Sequence, residues 1–194
     1  MIGAVVLAAG RAERFGGDKV LVPLRGVPVV RHVVDRLVRA GAAPVVVVGG
    51  GAAEGVRGAL AGTGAEVVVN PEPARGLSAS LRVGVEALPA TCDAFWVALG
   101  DQPFVEVDVL RRLAEAWRGC NAAAVVPIYR DGQGNPVLFD GTMRRRLRAL
   151  AGDAGARTLL AAMGDRVVRV AVDADAPRDI DTPADLQALQ ALEA

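Results

Sequence analysis

Apolar residues in this chain fall into two alternating patterns. Runs such as VVLAA at 5–9 and VVVV at 45–48 are continuous and rich in β-branched side chains, which is typical of strands buried on both faces. The segments between such runs space their apolar residues three and four positions apart, as Val30, Val33 and Leu37 do, which is typical of amphipathic helices. We therefore predict a three-layer αβα fold with a mostly parallel central sheet.

The pattern predicts elements along nearly the whole sequence. Strands are predicted, in chain order, at residues 5–9, 45–48, 66–70, 94–100, 121–127, 135–139 and 166–172. Helices are predicted at 29–39, 53–60, 77–88, 107–117, 142–150, 156–163 and from 183 onward, where Thr182 is a suitable N-cap. Because no repeat, linker or low-complexity segment divides the chain, we expect a single domain over residues 1–194.

Composition narrows the classes of function. Basic and acidic residues number 22 each, so the chain has no net charge, and general nucleic-acid binding is not expected. No apolar run is long enough to span a membrane. The N-terminal MIGAVVLAAG lacks a basic leader and is interpreted as a core strand, not a signal peptide. Cys92 and Cys120 are expected to be reduced, buried thiols, which favours a cytoplasmic protein.

A glycine-rich, basic loop follows the first predicted strand, at residues 10–19, and contains Arg14 and Lys19. It is not a P-loop, because Phe15 stands where the second glycine belongs, and Ala12 breaks the dinucleotide fingerprint in the same way. Bare backbone N–H groups and fixed cations at a strand end are nevertheless suited to a polyphosphate. The alternative is a tight loop with solvated charges.

Acidic residues occur in two other segments, one after a predicted strand and one before the last predicted helix. Asp101 directly follows the strand at 94–100, where a carboxylate is costly to bury unless it pairs with a cation or binds a metal. Mg²⁺ prefers one or two carboxylates together with phosphate oxygens, and a structural ion pair is the alternative. The segment PRDIDTP supplies Asp179 and Asp181. We expect one of them to be the anion at the N-terminus of the last helix, and one could face Asp101.

Six segments, taken in order, resemble those of the molybdenum cofactor cytidylyltransferases. They are LAAGRAERFGGDK, NPEPARGLSASL, LGDQPF, GQGNPVLF, GDAGAR and DIDTPADL, and the resemblance extends from Val5 to about Leu186. The first segment is shared with the wider nucleotidyltransferases of glycosyltransferase-A-like fold, while GDQP with DIDTP narrows the resemblance to the molybdenum cofactor group.

The resemblance implies an activity as well as a fold. CMP would be transferred from CTP to the terminal phosphate of molybdopterin, with Mg²⁺ as cofactor and pyrophosphate as the second product. The modified cofactor would pass to a molybdoenzyme or its chaperone. No general base is needed, because a phosphomonoester with a second pKa of about 6 is already largely ionised at neutral pH.

The resemblance also implies roles for individual residues. The nucleotide site would comprise Leu7, Ala8, Ala9 and Gly10 around the base and ribose, Arg14 and Lys19 at the triphosphate, Asn70, and Asp101. Asp101 and Asp181 would hold Mg²⁺, and Arg14, Lys19 and Asp101 would carry catalysis. Ala9 favours CTP, since family members that use guanine tend to have glycine there. Ala12 departs from the serine usual in the family, which removes one possible phosphate donor.

Other polar residues have both a structural and a functional interpretation. Ser78 and Ser80 could cap a helix or touch phosphate, and Ser80 is included in the predicted nucleotide site. Asn135 and Pro136 are predicted to shape the acceptor site, with a turn before a strand as the alternative. Arg157 is predicted to bind anionic groups of the acceptor, with a solvated helix start as the alternative.

Two further features are interpreted as structural. His32, the only histidine, is expected to be a half-buried helix residue and not a catalyst. The run RRRLR at 144–148 is expected to be a solvated helix face.

Three rival functions are kept open. One is a nucleotidyltransferase that uses GTP or another phosphorylated acceptor. The second is an NAD(P)-dependent oxidoreductase, suggested by VVVVGGGAAEG, in which Glu54 stands at the third glycine position of the fingerprint. The third is a non-catalytic module that binds the molybdenum cofactor for delivery.

Overall fold

The computed structural model describes residues 1–10, 15, 17–150, 152 and 156–191 and has the predicted three-layer architecture. The strands in this part of the chain are β1 (Ile2–Ala8), β2 (Pro23–Leu24), β3 (Val27–Pro28), β4 (Val45–Gly49), β5 (Glu66–Val69), β6 (Ala94–Leu99), β7 (Ala124–Tyr129), β8 (Gly132–Gln133), β9 (Val137–Asp140) and β10 (Val167–Ala171). The α-helices are α1 (Val29–Arg39), α2 (Ala53–Ala59), α3 (Leu77–Ala87), α4 (Val107–Arg118), α5 (Arg144–Arg148), α6 (Arg157–Ala162) and α7 (Pro183–Ala191).

The main sheet has the strand order β10-β7-β9-β6-β1-β4-β5, with β8 paired to β7. Strand β1 is central and pairs in parallel with β4 and β6. Strand β9 runs antiparallel to both of its neighbours, β6 and β7. The prediction of a mostly parallel sheet flanked by helices is confirmed. The antiparallel direction of β9 and the separate β2–β3 hairpin were not predicted.

Side chains of the central strand alternate between two cores. Ala4 and Val6 contribute to the core beneath α1, α2 and α4, whereas Val5 and Leu7 contribute to the core beneath α3, α5 and α6. Both faces of the sheet are therefore covered by helices. This double burial explains why the strand sequences are continuously apolar instead of alternating with polar residues.

Helix α3 packs unusually close to the sheet. A Cβ at Gly84 would lie 2.3 Å from Cγ1 of Val5, so only glycine permits this approach. Leu81 and Val85 are buried, as the helical pattern predicts, but Leu77 is 41% exposed although it shares their spacing. The difference arises because Leu77 is the first residue of α3 and lines a cavity beyond the sheet edge.

Arg144, the first residue of α5, ties that helix to the end of α3. Its guanidinium donates hydrogen bonds to the carbonyl oxygens of Val85 at 3.2 Å, Leu88 at 3.0 Å and Pro89 at 2.7 Å. It also lies 5.3 Å from the centre of the Phe95 ring. The expectation of a solvated face is therefore wrong for Arg144, because the last carbonyl groups of a helix lack intrahelical donors and the arginine supplies them.

Arg144→Met should destabilise the fold, since it leaves these carbonyl groups without their donor. We expect the free energy of unfolding to fall by about 2–4 kcal/mol. The neighbouring Arg145 is exposed, and Arg145→Met should change stability by less than about 0.5 kcal/mol. Urea denaturation of the two variants beside the wild-type protein checks this, and equal midpoints for all three would contradict it.

The structure also describes the histidine, the two cysteines and the length of the helices. His32 is half-buried within α1, and its Nε2 lies 2.9 Å from the carbonyl oxygen of Leu24, which confirms the structural interpretation. Cys92 is buried as predicted, but Cys120 is exposed just beyond the end of α4, so that prediction is wrong. Within the described ranges, no helix is long and apolar enough to cross a membrane.

Candidate active site

A cleft of about 630 Å³ opens at the carboxyl end of β1. Its walls come from the end of β1, the residues around Lys19, the residues before α3 and its first turn, the end of β6, and the segment before α7. The lining residues are Leu7, Ala8, Ala9, Gly10, Lys19, Val20, Pro73, Gly76, Leu77, Ser80, Leu99, Asp101 and Asp181. Most residues predicted for the nucleotide and metal sites are thus brought together. Arg14 lies outside the described residues.

The floor of the cleft is fixed by the pairing of β1 with β6. Leu7 is in register with Leu99, and the amide of Gly100 donates to the carbonyl of Leu7 at 2.9 Å. A Cβ at Gly100 would lie 3.0 Å from that of Ala8, so glycine allows the two strand ends to stay close. This contact holds Asp101 beside the end of β1.

Lys19 lies between two carboxylates at the bottom of the cleft. Its Nζ is 2.6 Å from Oδ2 of Asp101 and 2.7 Å from Oδ1 of Asp181. The Lys19 side chain is 13% exposed, against 18% for Asp101 and 37% for Asp181. Burial of the ammonium works to lower the pKa of Lys19, but hydrogen bonds and the charges of both carboxylates outweigh it and raise that pKa. Lys19 therefore stays protonated at neutral pH.

The segment carrying Asp181 is pinned to the residues after β6. The amide of Ile180 donates to the carbonyl of Asp101 at 3.1 Å, and Nε2 of Gln102 donates to Oδ1 of Asp179 at 2.6 Å. Partial burial raises the pKa of Asp179; the Gln102 hydrogen bond opposes the rise, and the charges of Asp101 and Asp181 add to it. The Asp179 carboxylate thus anchors the segment, and Asp181 is the acidic residue that faces Asp101.

The anion at the start of α7 is Asp185. Its Oδ2 accepts hydrogen bonds from the amide of Thr182 at 2.7 Å and from the amide of Asp181 at 3.1 Å. The Thr182 hydroxyl in turn accepts from the amide of Asp185 at 3.3 Å, which forms a reciprocal capping arrangement. Thr182 is thus the N-cap, as predicted, but the expectation that Asp179 or Asp181 supplies the helix anion is wrong. The hydrogen bond from the amide of Asp181 to Asp185 thus fixes the backbone of Asp181 against the start of α7.

Sequence reasoning missed Gln102, whose side chain is buried and links two parts of the site. Gln102→Leu keeps the size but removes the donor to Asp179, so the segment bearing Asp181 should loosen. We expect kcat/KM for nucleotide to fall about tenfold, which corresponds to one lost charge-assisted hydrogen bond. Gln187→Leu, at an exposed position of α7, is the matched control and should retain activity. Equal kinetics for the two variants would show that Gln102 does not position the site.

Asn70 and Ser80 form a buried polar pair behind the cleft wall. Nδ2 of Asn70 donates to Oγ of Ser80 at 2.9 Å, and Oδ1 of Asn70 accepts from the amide of Glu72 at 2.9 Å. Ser80 lines the cleft, whereas Asn70 is not among its lining residues. Asn70 therefore supports Ser80 from behind. The N-cap of α3 is Gly76, so Ser80 does not cap that helix.

A second cavity of about 380 Å³ adjoins the cleft. The two share Leu7, Leu77 and Leu99, so an apolar ridge separates them. Asn135 and Arg157, both predicted for the acceptor site, line the second cavity, while Pro136 does not. The cleft and the second cavity therefore lie side by side.

The two carboxylates fit a divalent metal ion. Asp101 and Asp181 already converge on one ammonium, which shows that both can approach a single cation. No group of three or more His, Cys, Asp and Glu suited to a metal occurs among the described residues. A two-carboxylate site suits Mg²⁺ that takes its remaining ligands from phosphate oxygens and water.

Comparison with known proteins assigns the family. Residues 4–167 match the MobA-like NTP transferase domain, which covers most of the sequence. The chain belongs to this family. The fold, the cleft and the pair of carboxylates described above therefore belong to an NTP transferase domain.

Curated relatives of this NTP transferase domain carry different names. The chain is 36% identical to Bifunctional protein GlmU of Bordetella petrii over 138 residues, which cover 69% of this chain and 30% of that protein. It is 31% identical to Nicotine blue oxidoreductase of Paenarthrobacter nicotinovorans, covering 82% of this chain and 81% of that one. It is 33% identical to Molybdenum cofactor guanylyltransferase of Cupriavidus metallidurans, covering 69% and 63%. The chain thus spans under a third of the GlmU protein.

Solved structures superpose on nearly the whole of the given chain. Rv0371c of Mycobacterium tuberculosis superposes with a TM-score of 0.88 at 37% identity, covering 97% of this chain and 96% of that one. A complex of Rv0371c with manganese gives 0.83 at 36% identity, covering 97% of each chain. A nucleotidyl transferase from Methanothermobacter gives 0.80 at 32% identity, covering 98% and 96%. The predicted nucleotidyltransferase fold is confirmed.

Proposed function

We propose that this NTP transferase is a cytidylyltransferase that transfers CMP from CTP to the terminal phosphate of molybdopterin and releases pyrophosphate. The observation that carries the proposal is the convergence of Lys19, Asp101 and Asp181 in a cleft beside a second cavity that contains Arg157. The cleft with Lys19 is suited to a triphosphate, and the second cavity with Arg157 is suited to an anionic acceptor. The Mo cofactor guanylyltransferase among the relatives supports the acceptor class.

In the proposed reaction, an oxygen of the acceptor phosphate attacks the α-phosphorus of CTP. The bond from the α-phosphorus to the oxygen bridging to the β-phosphate breaks, and that electron pair leaves with pyrophosphate. Lys19 supplies positive charge to the departing phosphates, and the end of β1 offers backbone to the nucleotide. Asp101 and Asp181 would hold Mg²⁺, which would supply positive charge to the phosphates.

No side chain has to remove a proton in this scheme. The acceptor phosphate is largely ionised at neutral pH, since the second pKa of a phosphomonoester is about 6. The residues of the cleft then act by positioning and electrostatics, as phosphoryl-transfer sites generally do. His32, which contacts the Leu24 carbonyl in the structural role described above, has no part in the reaction.

The proposed preference for CTP rests on Ala9, which lines the cleft. Its carbonyl oxygen would lie 3.1 Å from a Cβ at Gly50, so the residue that follows β4 packs directly behind Ala9. A methyl group at this position, with little room behind it, suits a pyrimidine better than the larger guanine.

Competition binding should therefore show CTP bound more tightly than GTP or ATP. Ala9→Gly, which restores the glycine of the guanine-using relatives, should narrow or reverse the difference between CTP and GTP, by roughly tenfold. Fluorescence competition with the four ribonucleotides in the presence of Mg²⁺ measures both effects. Tighter binding of GTP by the wild-type protein would overturn the cytidylyl assignment and leave a guanylyltransferase.

A second candidate function is favoured by the similarity to Nicotine blue oxidoreductase, an oxidoreductase by name. Against it, the first of the two fingerprint glycines has a packing role, since a Cβ at Gly49 would lie 3.0 Å from Cβ of Ala53, whereas a Cβ at Gly51 would meet open space. Neither Gly49 nor Gly51 lines the cleft. Fluorescence titration with NADH and NADPH separates the candidates, because saturable binding would support the oxidoreductase.

A further inference from the structure

Lys19 occupies the point at which two carboxylates converge. Its ammonium lies within 2.7 Å of both Asp101 and Asp181 and is largely shielded from water. Two carboxylates that share one site repel each other unless a cation lies between them. Lys19 therefore serves as a cation held by both carboxylates, and it joins the end of β6 to the segment before α7.

Lys19 is also the only lysine in the chain, and the other 21 basic residues are arginines. An ammonium is a compact charge on a flexible stem, whereas a guanidinium is a planar fork with fixed directions. The compact charge fits between two carboxylate oxygens and can leave by simple rotation of its side chain. Lysine is thus suited to a contact that has to be broken and remade.

We propose that the Lys19 ammonium and a divalent metal ion compete for the same place between Asp101 and Asp181. A metal ion held by both carboxylates needs the space of the ammonium, so Lys19 lowers the affinity of the free protein for divalent ions. The phosphates of a nucleoside triphosphate offer Lys19 another anionic partner and release the carboxylates. Nucleotide and metal then strengthen each other's binding, and the coupling is reciprocal.

The proposal rests on the metal-binding role of Asp101 and Asp181 within the proposed function, but not on CTP or molybdopterin as substrates. The amount of unbound Mn²⁺, followed by electron paramagnetic resonance without nucleotide, measures the affinity of the free protein. Lys19→Met should bind Mn²⁺ at least about tenfold more tightly than the wild-type protein, since it removes the competing charge. Equal or weaker binding by the variant would overturn the proposal.

Arg178→Met is the matched control, because Arg178 lines a depression together with Asp179, Asp181 and Asp185 and removing it deletes one positive charge nearby. This variant should change the Mn²⁺ affinity by less than about twofold, as expected for an exposed charge screened by solvent. A gain equal to that of Lys19→Met would mean a general charge effect and would also overturn the proposal.

A measurement on the wild-type protein avoids any loss of folding in the variants. Lysine labelled with ¹⁵N at Nζ gives one side-chain signal, since the chain has one lysine. During a Mg²⁺ titration that signal should shift in step with occupancy of the metal site. A signal unchanged at saturation would show that the two cations do not compete. Both tests omit CTP, so the absence of cytidylyl transfer would defeat the proposed function and leave this inference standing.

Discussion

Asp101→Asn should leave the fold intact and lower turnover with CTP at least about a hundredfold, the scale of losing one preorganised electrostatic group. The amide keeps the shape of the side chain but loses the negative charge that lies 2.6 Å from Lys19 and that we propose holds Mg²⁺. Without it, the site would hold Mg²⁺ less tightly and lose the positive charge that the metal would supply to the phosphates. Steady-state kinetics with CTP, Mg²⁺ and the pterin acceptor measures the effect.

Asp175→Asn is the matched control for this change. Asp175 is exposed and lines a separate cavity that contains Phe104 and Tyr129, so the same loss of one carboxylate should leave turnover nearly unchanged. Thermal unfolding of both variants shows whether the fold is kept. Full activity of a correctly folded Asp101→Asn protein would remove the metal assignment.

Lys19→Ala should lower kcat by roughly a hundredfold or more, because the ammonium acts where charge develops. Negative charge accumulates on the leaving pyrophosphate as its bond to the α-phosphorus breaks. An interaction that strengthens in the transition state appears in kcat and not only in KM. Steady-state kinetics of the variant, with CTP varied at saturating acceptor, separates the two constants.

Lys19→Arg should restore little of this activity. The site admits a compact charge within 2.7 Å of two carboxylates, and a planar guanidinium cannot take the same position. If Lys19→Ala raised KM for CTP while kcat stayed at the wild-type value, Lys19 would contribute only uniform binding, and its proposed role in the transition state would be wrong.

The layers of the fold could be predicted from the sequence because burial on both faces marks each central strand with continuous apolar residues. β1, β4 and β6 lie where such runs predict them. Strand direction leaves no such mark: β9 is short and apolar like its neighbours, yet it runs antiparallel between β6 and β7. The two-residue strands β2 and β3 are too short to show any period.

The sequence predicts which residues form the candidate site better than it predicts which of them contact each other. Lys19 and Asp101 were expected to serve the triphosphate and the metal separately, but they contact each other directly. That contact depends on the pairing of β6 with β1, which brings the residues after both strands together and which no local pattern encodes. Long-range packing of the segment before α7 likewise places Asp179 against Gln102.

The contacts of Arg144 also depend on residues far away in the chain, so the local sequence does not predict them. A run of arginines on a short helix predicts a solvated face, and Arg145 is indeed exposed. Arg144 differs because the end of α3, more than fifty residues earlier in the chain, presents carbonyl groups that need donors. The packing of α5 against α3 determines which arginines of the run make contacts: Arg144 binds these carbonyl groups, and Arg148 pairs with Glu86 at the surface.

The most direct test of the account is product formation by the purified protein with molybdopterin, Mg²⁺ and each of the four nucleoside triphosphates. We predict that CTP gives one pyrophosphate for each cytidine dinucleotide form of the cofactor detected by mass spectrometry, and that GTP reacts far more slowly. Release of pyrophosphate with GTP but not with CTP would contradict the nucleotide assignment. Binding of the cofactor without any pyrophosphate from any nucleotide would contradict the assignment as a transferase.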